Sequence, residues 1–139
     1  MEEKVIKKLI DEAKKAMNNA YVPYSNYPVG AALLTEDDQI ITGCNVENAS
    51  YGLTNCAERT ALFKGVSEGI RDYKAIAIIC NGKLIASPCG ACRQVIAEFL
   101  EPKAPVILAN EYGEYQITTV EQLLPGAFTP KSLKEVNNV

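Results

Sequence analysis

The sequence predicts a single α/β domain over residues 1–139, in which helices cover both faces of a mixed five-stranded sheet. Its length of 139 residues fits one domain, and a hydrophobic fraction of 47% is enough for one buried core. Short apolar runs alternate with amphipathic segments, which is typical of strands alternating with helices. Because helical crossovers join parallel strands, we expect a three-layer α/β/α architecture whose sheet is largely parallel, with one antiparallel hairpin near its start.

The first half of the chain predicts a helix, a β-hairpin and a second helix. Apolar residues from Ile6 to Ala20 recur at helical spacing, which predicts an amphipathic helix over residues 2–20. Two prolines within residues 21–28 prevent this helix from continuing. The elements that follow are predicted as strands at 29–35 and 39–44, a loop over 43–54 and a helix over 55–69.

The second half predicts three strands and two further helices. Residues 75–80 are wholly apolar and rich in β-branched side chains, which predicts a buried central strand. Pro88 stands just before a third helix that reaches about residue 100. The remaining predicted elements are a buried strand at 105–109, an edge strand at 115–118, a short helix at 119–124 and a partly helical tail from 129.

Composition and charge exclude several classes of function. The net charge of −3 and the pI near 5.0 provide no positive field for a phosphate backbone, so nucleic acid is not an expected partner. Since the chain has neither an apolar run long enough to span a membrane nor a signal peptide, we expect a cytoplasmic protein without a membrane partner. The absence of histidine excludes Ser–His and Cys–His catalysis.

The five cysteines carry the clearest chemical signal. In a cytoplasmic chain they are expected to be reduced thiols or metal ligands. Cys56 opens one predicted helix, and Cys89 and Cys92 form a CxxC motif at the start of another, where the helix dipole favours thiolates. If both helices begin at one sheet edge, the three sulfurs can hold one zinc ion and leave its fourth position open, which is typical of a catalytic site.

Charged residues beside these cysteines fit the same hypothesis. Glu58 lies two residues after Cys56, and a carboxylate that is not a ligand can move a proton from water to a leaving group. Three thiolates on a dication leave the site negatively charged, so we expect a compensating cation nearby. Arg59 and Arg93 stand next to the cysteine motifs, and one or both are predicted to donate hydrogen bonds to the sulfurs.

Other interpretations of these residues remain open at the level of the sequence. A CxxC motif after a strand also fits a thioredoxin-like redox pair. Cys44 or Cys80 would close a structural zinc site as a fourth ligand, although Cys80, inside a predicted buried strand, is more typical of a core residue. Glu58 would complete an N-terminal capping box with Asn55 if neither residue had a chemical role.

Taken in chain order, five motifs resemble the zinc-dependent cytidine deaminases, specifically the small homotetrameric nucleoside deaminases. The general deaminase signature couples H/C-x-E to P-C-x-x-C. Polynucleotide and deoxycytidylate deaminases typically have histidine where this chain has Cys56, so the resemblance is to the branch acting on free nucleosides. The motifs are Pro28-Val-Gly-Ala-Ala-Leu-Leu34, Gly43-Cys-Asn-Val-Glu-Asn-Ala-Ser-Tyr51, Asn55-Cys-Ala-Glu-Arg-Thr-Ala61, Pro88-Cys-Gly-Ala-Cys-Arg-Gln94 and Leu123-Leu-Pro-Gly-Ala-Phe128.

The resemblance implies a cytidine-deaminase-like fold and a hydrolytic reaction of pyrimidine salvage. Cytidine and deoxycytidine would give uridine and deoxyuridine with release of ammonia. One Zn²⁺ per chain would be held by Cys56, Cys89 and Cys92, its bound hydroxide would attack the pyrimidine, and Glu58 would be the catalytic proton shuttle. The rival functions are deamination of another cytosine nucleoside such as blasticidin S, a non-catalytic zinc module, and a dithiol oxidoreductase.

The resemblance also implies a set of substrate-binding residues. Asn45 and Glu47 would bind the ribose hydroxyls, and Ala57 would line the base pocket. Tyr27 stands where the family usually has phenylalanine against the pyrimidine, so its hydroxyl needs a partner. Phe128 would enter a neighbouring subunit's pocket and stack on the base, which makes the expected partner a second copy of the chain within a homotetramer.

Overall fold

A computed structural model describes residues 1–137, which form helices and strands at nearly all the predicted places. The first helix ends at Met17 rather than at Ala20, and residues 138–139 of the predicted domain lie outside the described part of the chain. The elements are α1 (Glu3–Met17), β1 (Val29–Thr35), β2 (Ile40–Cys44), a 3₁₀ turn (Tyr51–Leu53), α2 (Ala57–Ser67), β3 (Tyr73–Cys80), α3 (Gly90–Phe99), β4 (Pro105–Asn110), β5 (Tyr115–Thr119), α4 (Val120–Leu123) and α5 (Pro130–Asn137).

The strands form one mixed sheet in the order β2-β1-β3-β4-β5. The prediction of a largely parallel sheet is wrong. Within residues 1–137 only β3 and β4 are parallel neighbours, and the other three pairs are antiparallel. The physical reason is the position of β1. Strands β2, β3 and β4 point the same way, as their helical crossovers require, but β1 is inserted between β2 and β3 and runs in the opposite direction.

Helices cover both faces of this sheet, so the predicted three-layer α/β/α architecture is confirmed. On one face, α1 packs apolar side chains such as Leu9 and Ala13 against β1, β3 and β4. On the other face, Leu62 of α2 and Ile96 of α3 pack against side chains of the same strands. As predicted, β3 is the buried central strand and β5 is an exposed edge strand. No helix in residues 1–137 combines the length and apolar character that crossing a membrane requires.

Close packing of α2 on β2 fixes the position of Cys56. A Cβ atom at Gly43 would lie 2.6 Å from the carbonyl oxygen of Ala57, so only glycine lets the first turn of α2 approach the strand this closely. The residue before that turn is Cys56, which is the N-cap of α2. Backbone packing therefore holds this cysteine at the edge of the sheet where α3 also begins.

Candidate active site

The two cysteine motifs converge at the starts of α2 and α3. The Sγ atoms of Cys56, Cys89 and Cys92 all lie within 4.8 Å of one another, so the predicted cluster is present. Cys56 and Cys89 are the N-cap residues of their helices, and Cys92 follows in the first turn of α3. The backbone N–H of Cys92 donates a hydrogen bond of 3.4 Å to the sulfur of Cys89. Helix starts thus supply both the positions of the sulfurs and donors that favour thiolates.

The donor set fits a zinc ion. Zinc binds thiolates at about 2.3 Å in a tetrahedron, which puts its sulfur ligands about 3.8 Å apart. The sulfurs of Cys56 and Cys89 are 4.0 Å apart. Cys44 and Cys80 lie outside the cluster, and the Cys80 thiol instead donates to the carbonyl oxygen of Leu84 at 3.2 Å. The cluster can therefore supply three sulfur ligands, and neither of the other two cysteines lies where it would fill the fourth vertex of a tetrahedron.

Contacts among the sulfurs shift two of the thiol pKa values in opposite directions. The contact of Cys56 with Cys92, with donation from Arg59, lowers the pKa of Cys56 to about 5. The same contact and the burial of Cys92 raise the pKa of Cys92 well above its usual range. Zinc binds cysteine as the thiolate, so the lowered pKa of Cys56 favours metal binding at this cluster.

Glu58 lies beside the sulfurs but outside the ligand cluster. Its side chain is 3% exposed and lines the same cavity as Cys56 and Cys89. Both Cys56 and Glu58 reach this cavity because Cys56 precedes the first helical residue and has an extended backbone. Burial, and to a smaller extent the charge of Cys56, raise the pKa of the Glu58 carboxyl. The capping-box interpretation is wrong, because the N-cap residue is Cys56 and the Asn55 side chain donates to the Thr60 hydroxyl.

The two arginines differ in their contacts. Arg59 donates through Nη2 to the sulfur of Cys56 at 3.4 Å, and within residues 1–137 its buried Nε has no hydrogen-bond partner. The prediction was that one or both arginines donate to the sulfurs, and Arg59 is the one that does so, whereas Arg93 binds elsewhere. Its guanidinium donates to the carbonyl oxygens of Pro88 and Leu123, each at 2.8 Å, and to the Ser87 hydroxyl at 3.1 Å. Arg93 therefore joins the start of α3 to the end of α4.

Replacing Arg59 by glutamine is expected to weaken zinc binding by about tenfold, because one donor to the thiolate and one positive charge are lost. Competition with a chromophoric chelator measures this affinity. Arg71→Gln is the control, because Arg71 donates to carbonyl oxygens at and after the C-terminal end of α2, away from the sulfurs, and its replacement should leave zinc affinity unchanged. Equal zinc affinity in Arg59→Gln and the wild type would contradict the assigned contact.

A cavity of about 210 Å³ reaches the sulfurs, and its walls include three of the residues expected to bind substrate: Tyr27, Asn45 and Ala57. Glu47 lines a neighbouring cavity of about 250 Å³, together with residues of the segment 21–28 between α1 and β1. Thr54 lines both cavities, so they adjoin.

Asn45 and Glu47 lie in the loop after β2, and their side chains hydrogen-bond the segment 21–28, which connects α1 to β1. The Asn45 side chain donates to the Tyr27 carbonyl oxygen and accepts from the Val29 N–H, both at 2.9 Å. The Glu47 carboxylate accepts from the Ser25 hydroxyl and from two backbone N–H groups, which lowers the pKa of Glu47. Sequence reasoning missed Ser25, because nothing in the local pattern relates this residue to a carboxylate in a distant loop.

The two aromatic residues occupy different places. Tyr27 lines the cavity beside Cys80, and desolvation, followed by its contact with the Cys80 thiol, raises the pKa of Tyr27 to about 12. The Tyr27 hydroxyl is therefore a neutral phenol at the cavity wall. Phe128 is 58% exposed and does not line the cavity of its own chain. The Gln94 side chain donates to the Phe128 carbonyl oxygen at 2.7 Å, which fixes the backbone while the ring faces outward.

Comparisons with known proteins agree with this geometry. A family model described as the cytidine and deoxycytidylate deaminase zinc-binding region matches residues 3–108. A cytidine deaminase from Sporosarcina psychrophila is 58% identical over 128 residues, which cover 92% of this chain and 94% of that protein. The crystal structure of cytidine deaminase from Burkholderia pseudomallei superposes with a TM-score of 0.86 at 49% identity, covering 92% of this chain and all of that one.

A deaminase of another nucleoside is a more distant relative. A blasticidin-S deaminase from Bacillus cereus is 29% identical over 129 residues, covering 87% of this chain and 90% of that protein. A cytidine deaminase from Halalkalibacterium halodurans, by comparison, is 57% identical over 127 residues, covering 91% of this chain and 96% of its own. Sequence identity therefore favours the cytidine enzymes.

Proposed function

We propose, from the premise that this chain belongs to the family of zinc-dependent cytidine and deoxycytidylate deaminases, that it hydrolyses cytidine and deoxycytidine to uridine and deoxyuridine with release of ammonia. The observation that carries this proposal is the cluster of three cysteine sulfurs beside buried Glu58 at the wall of a cavity. A histidine-free chain has few other ways to activate water at neutral pH. In keeping with its free thiols, we propose that the enzyme acts in the cytoplasm, in pyrimidine salvage.

The proposed roles follow from where each side chain lies. Cys56, Cys89 and Cys92 would hold the zinc ion, which when bound supplies the Lewis acidity that lowers the pKa of coordinated water. Glu58 would accept a proton from that water and pass it first to N3 of the pyrimidine and then to the leaving amine. Its burial keeps bulk water away from this transfer, so the proton stays on the path between water and substrate.

Substrate binding is proposed for the residues around the two adjoining cavities. Asn45 uses one N–H and one lone pair within the protein, so its amide retains one donor and one acceptor site for a sugar hydroxyl. Backbone N–H groups of the segment 21–28 hold the Glu47 carboxylate in place, and it is an acceptor for a second sugar hydroxyl. Tyr27 and Ala57 would then contact the pyrimidine ring.

Incubation of the zinc-loaded protein with cytidine, deoxycytidine, blasticidin S and free cytosine tests the reaction. We expect uridine or deoxyuridine and ammonia in equal amounts, with little product from cytosine, which lacks the sugar. Turnover of blasticidin S alone would support the rival nucleoside. No turnover of any substrate with one zinc bound per chain would support a non-catalytic zinc module, whereas metal-free reduction of a disulfide would support a dithiol oxidoreductase.

A homotetramer is proposed as the active assembly, with Phe128 completing the pocket of a neighbouring subunit. The support is that this aromatic ring is exposed and away from its own cavity. Other large aromatic side chains near the pocket entrance, Tyr24 and Tyr51, are also exposed. Exposed aromatic groups of this kind are typical of interaction surfaces.

Phe128→Ala is expected to raise KM for cytidine about fivefold to tenfold, which corresponds to the loss of about 1–1.5 kcal/mol of aromatic stacking. Steady-state kinetics measure this change, and Tyr112→Ala, which removes an exposed ring from the β4–β5 turn, is the matched control. Mixing Phe128→Ala and Glu58→Gln subunits should restore activity, because each pocket needs one residue from each chain. Failure of the mixture to exceed the sum of its parts would contradict action between subunits.

A further inference from the structure

The segment between β3 and α3 forms a wall of the proposed substrate pocket. Ala86 and Ser87 line the cavity that reaches the sulfurs, and Cys89, the N-cap of α3, follows two residues after Ser87. The path of this segment therefore sets both the shape of one pocket wall and the position of one sulfur. Because the segment has no regular secondary structure, hydrogen bonds to neighbouring elements must fix its path.

Three of these hydrogen bonds come from the end of β4 and the turn after it. They are Gly82 N–H to Glu111 Oε1 at 2.7 Å, Asn110 Nδ2 to the Lys83 carbonyl oxygen at 2.7 Å, and Ala86 N–H to the Ala109 carbonyl oxygen at 3.1 Å. The Cys80 thiol supplies a further bond to the Leu84 carbonyl oxygen. The segment is therefore fastened to the C-terminal ends of both central strands.

Asn110 makes four side-chain hydrogen bonds in this arrangement. Its side chain is fully buried, at 0% exposure. One amide N–H bonds Lys83, and the same nitrogen donates to Glu114 Oε1 at 2.9 Å. The amide oxygen accepts from the N–H groups of Tyr112 and Glu114 at 3.0 and 3.1 Å. An asparagine side chain has two donors and two acceptor sites, so all four are used. The residue joins the turn after β4 to the pocket wall.

We propose that Asn110 is a positioning residue for the active centre, which holds the 82–86 segment so that Ser87 and Cys89 keep their places. Neither the cysteine motifs nor the substrate-binding residues include it, and it acts only through Lys83. Loss of its amide would loosen the middle of the segment, which would then be held by the weaker thiol bond from Cys80 to Leu84 between the bonds at Gly82 and Ala86. The kinetic consequence rests on the proposed deaminase function, whereas the consequence for zinc retention does not.

Asn110→Ala is expected to release zinc about tenfold faster into excess chelator, and to raise KM for cytidine about fivefold with little change in kcat. Glu114→Ala is the matched control, since it removes the other partner of the same nitrogen and leaves the bond to Lys83. It should lower the melting temperature without changing zinc release or KM. If the wild type retains zinc but does not deaminate cytidine, the proposed function fails, and the zinc release rates still decide the role of Asn110.

A second pair of variants decides the inference if Asn110→Ala does not fold. Glu111→Ala removes the acceptor for Gly82, whereas Glu111→Gln retains the Oε1 acceptor. Faster zinc release in Glu111→Ala, with wild-type release in Glu111→Gln, would support the inference that hydrogen bonds to the 82–86 segment keep Cys89 in place. Wild-type zinc release in both Asn110→Ala and Glu111→Ala, or equal acceleration by Asn110→Ala and Glu114→Ala, would overturn the inference, because the contacts would then serve only the stability of the β4–β5 turn.

Discussion

Replacing Glu58 by glutamine should reduce the rate of cytidine deamination by about 10²–10⁴-fold while leaving zinc bound, since general acid–base catalysis typically contributes this much. Glutamine has nearly the same shape as glutamate but cannot accept and return a proton at neutral pH. The buried position of Glu58 favours a neutral side chain, so the variant should fold at least as stably as the wild type. Ammonia release at matched zinc content measures the effect.

The matched control is Glu68→Gln, which removes an exposed carboxylate next to the end of the same helix. This variant should retain wild-type kcat and KM. Equal deamination by Glu58→Gln and the wild type, with zinc bound in both, would show that another group moves the proton. The assignment of Glu58 would then fail, even though the cysteine cluster could still be correct.

Replacing Cys92 by serine should remove zinc and activity together. Changing a group that only orients a zinc ligand typically costs about 10–100-fold in affinity, so loss of a ligand should cost at least about 100-fold. Cys92 is fully buried within the cluster, and the neutral hydroxyl of serine does not replace a thiolate as a zinc ligand. Zinc content by elemental analysis after dialysis, with ammonia release on the same sample, measures both losses.

Cys80→Ser separates the role of a ligand from that of a buried thiol. Cys80 is as buried as Cys92 but lies outside the cluster, so its replacement should leave one zinc per chain. Zinc retained at full occupancy by Cys92→Ser, or lost from Cys80→Ser, would contradict the proposed ligand set. Loss of activity in a Cys92→Ser protein that never contained metal, with dithiol chemistry in the wild type, would instead favour an oxidoreductase.

Local patterns in the sequence were sufficient for most of the secondary structure and for the metal cluster. The apolar stripe of α1 and the wholly apolar β3 are properties of neighbouring residues, so periodicity identifies them. Cys56 and Cys89 were predicted at helix starts, and two helix starts at one sheet edge bring their side chains together whatever the order of the other strands. The cluster therefore follows from positions that each motif encodes locally.

Features that depend on distant residues could not be predicted in the same way. Nothing within β1 indicates that it lies between β2 and β3, so the direction of most strand pairs was missed. Arg93 stands next to a cysteine in sequence, yet its donors are taken by the backbone around Pro88 and by Leu123 at the end of α4. Asn110 contacts Lys83 only because β3 and β4 are parallel neighbours. Each of these contacts is set by tertiary structure.

Zinc K-edge X-ray absorption of the purified protein, at one zinc per chain, tests the nature of the metal centre most directly. With Cys56, Cys89 and Cys92 as its protein ligands, the spectrum should fit three sulfur atoms at about 2.3 Å and one oxygen atom at about 2.0–2.2 Å. A fit that requires four sulfur atoms and no oxygen would contradict the account, because no coordination position would then be free for water.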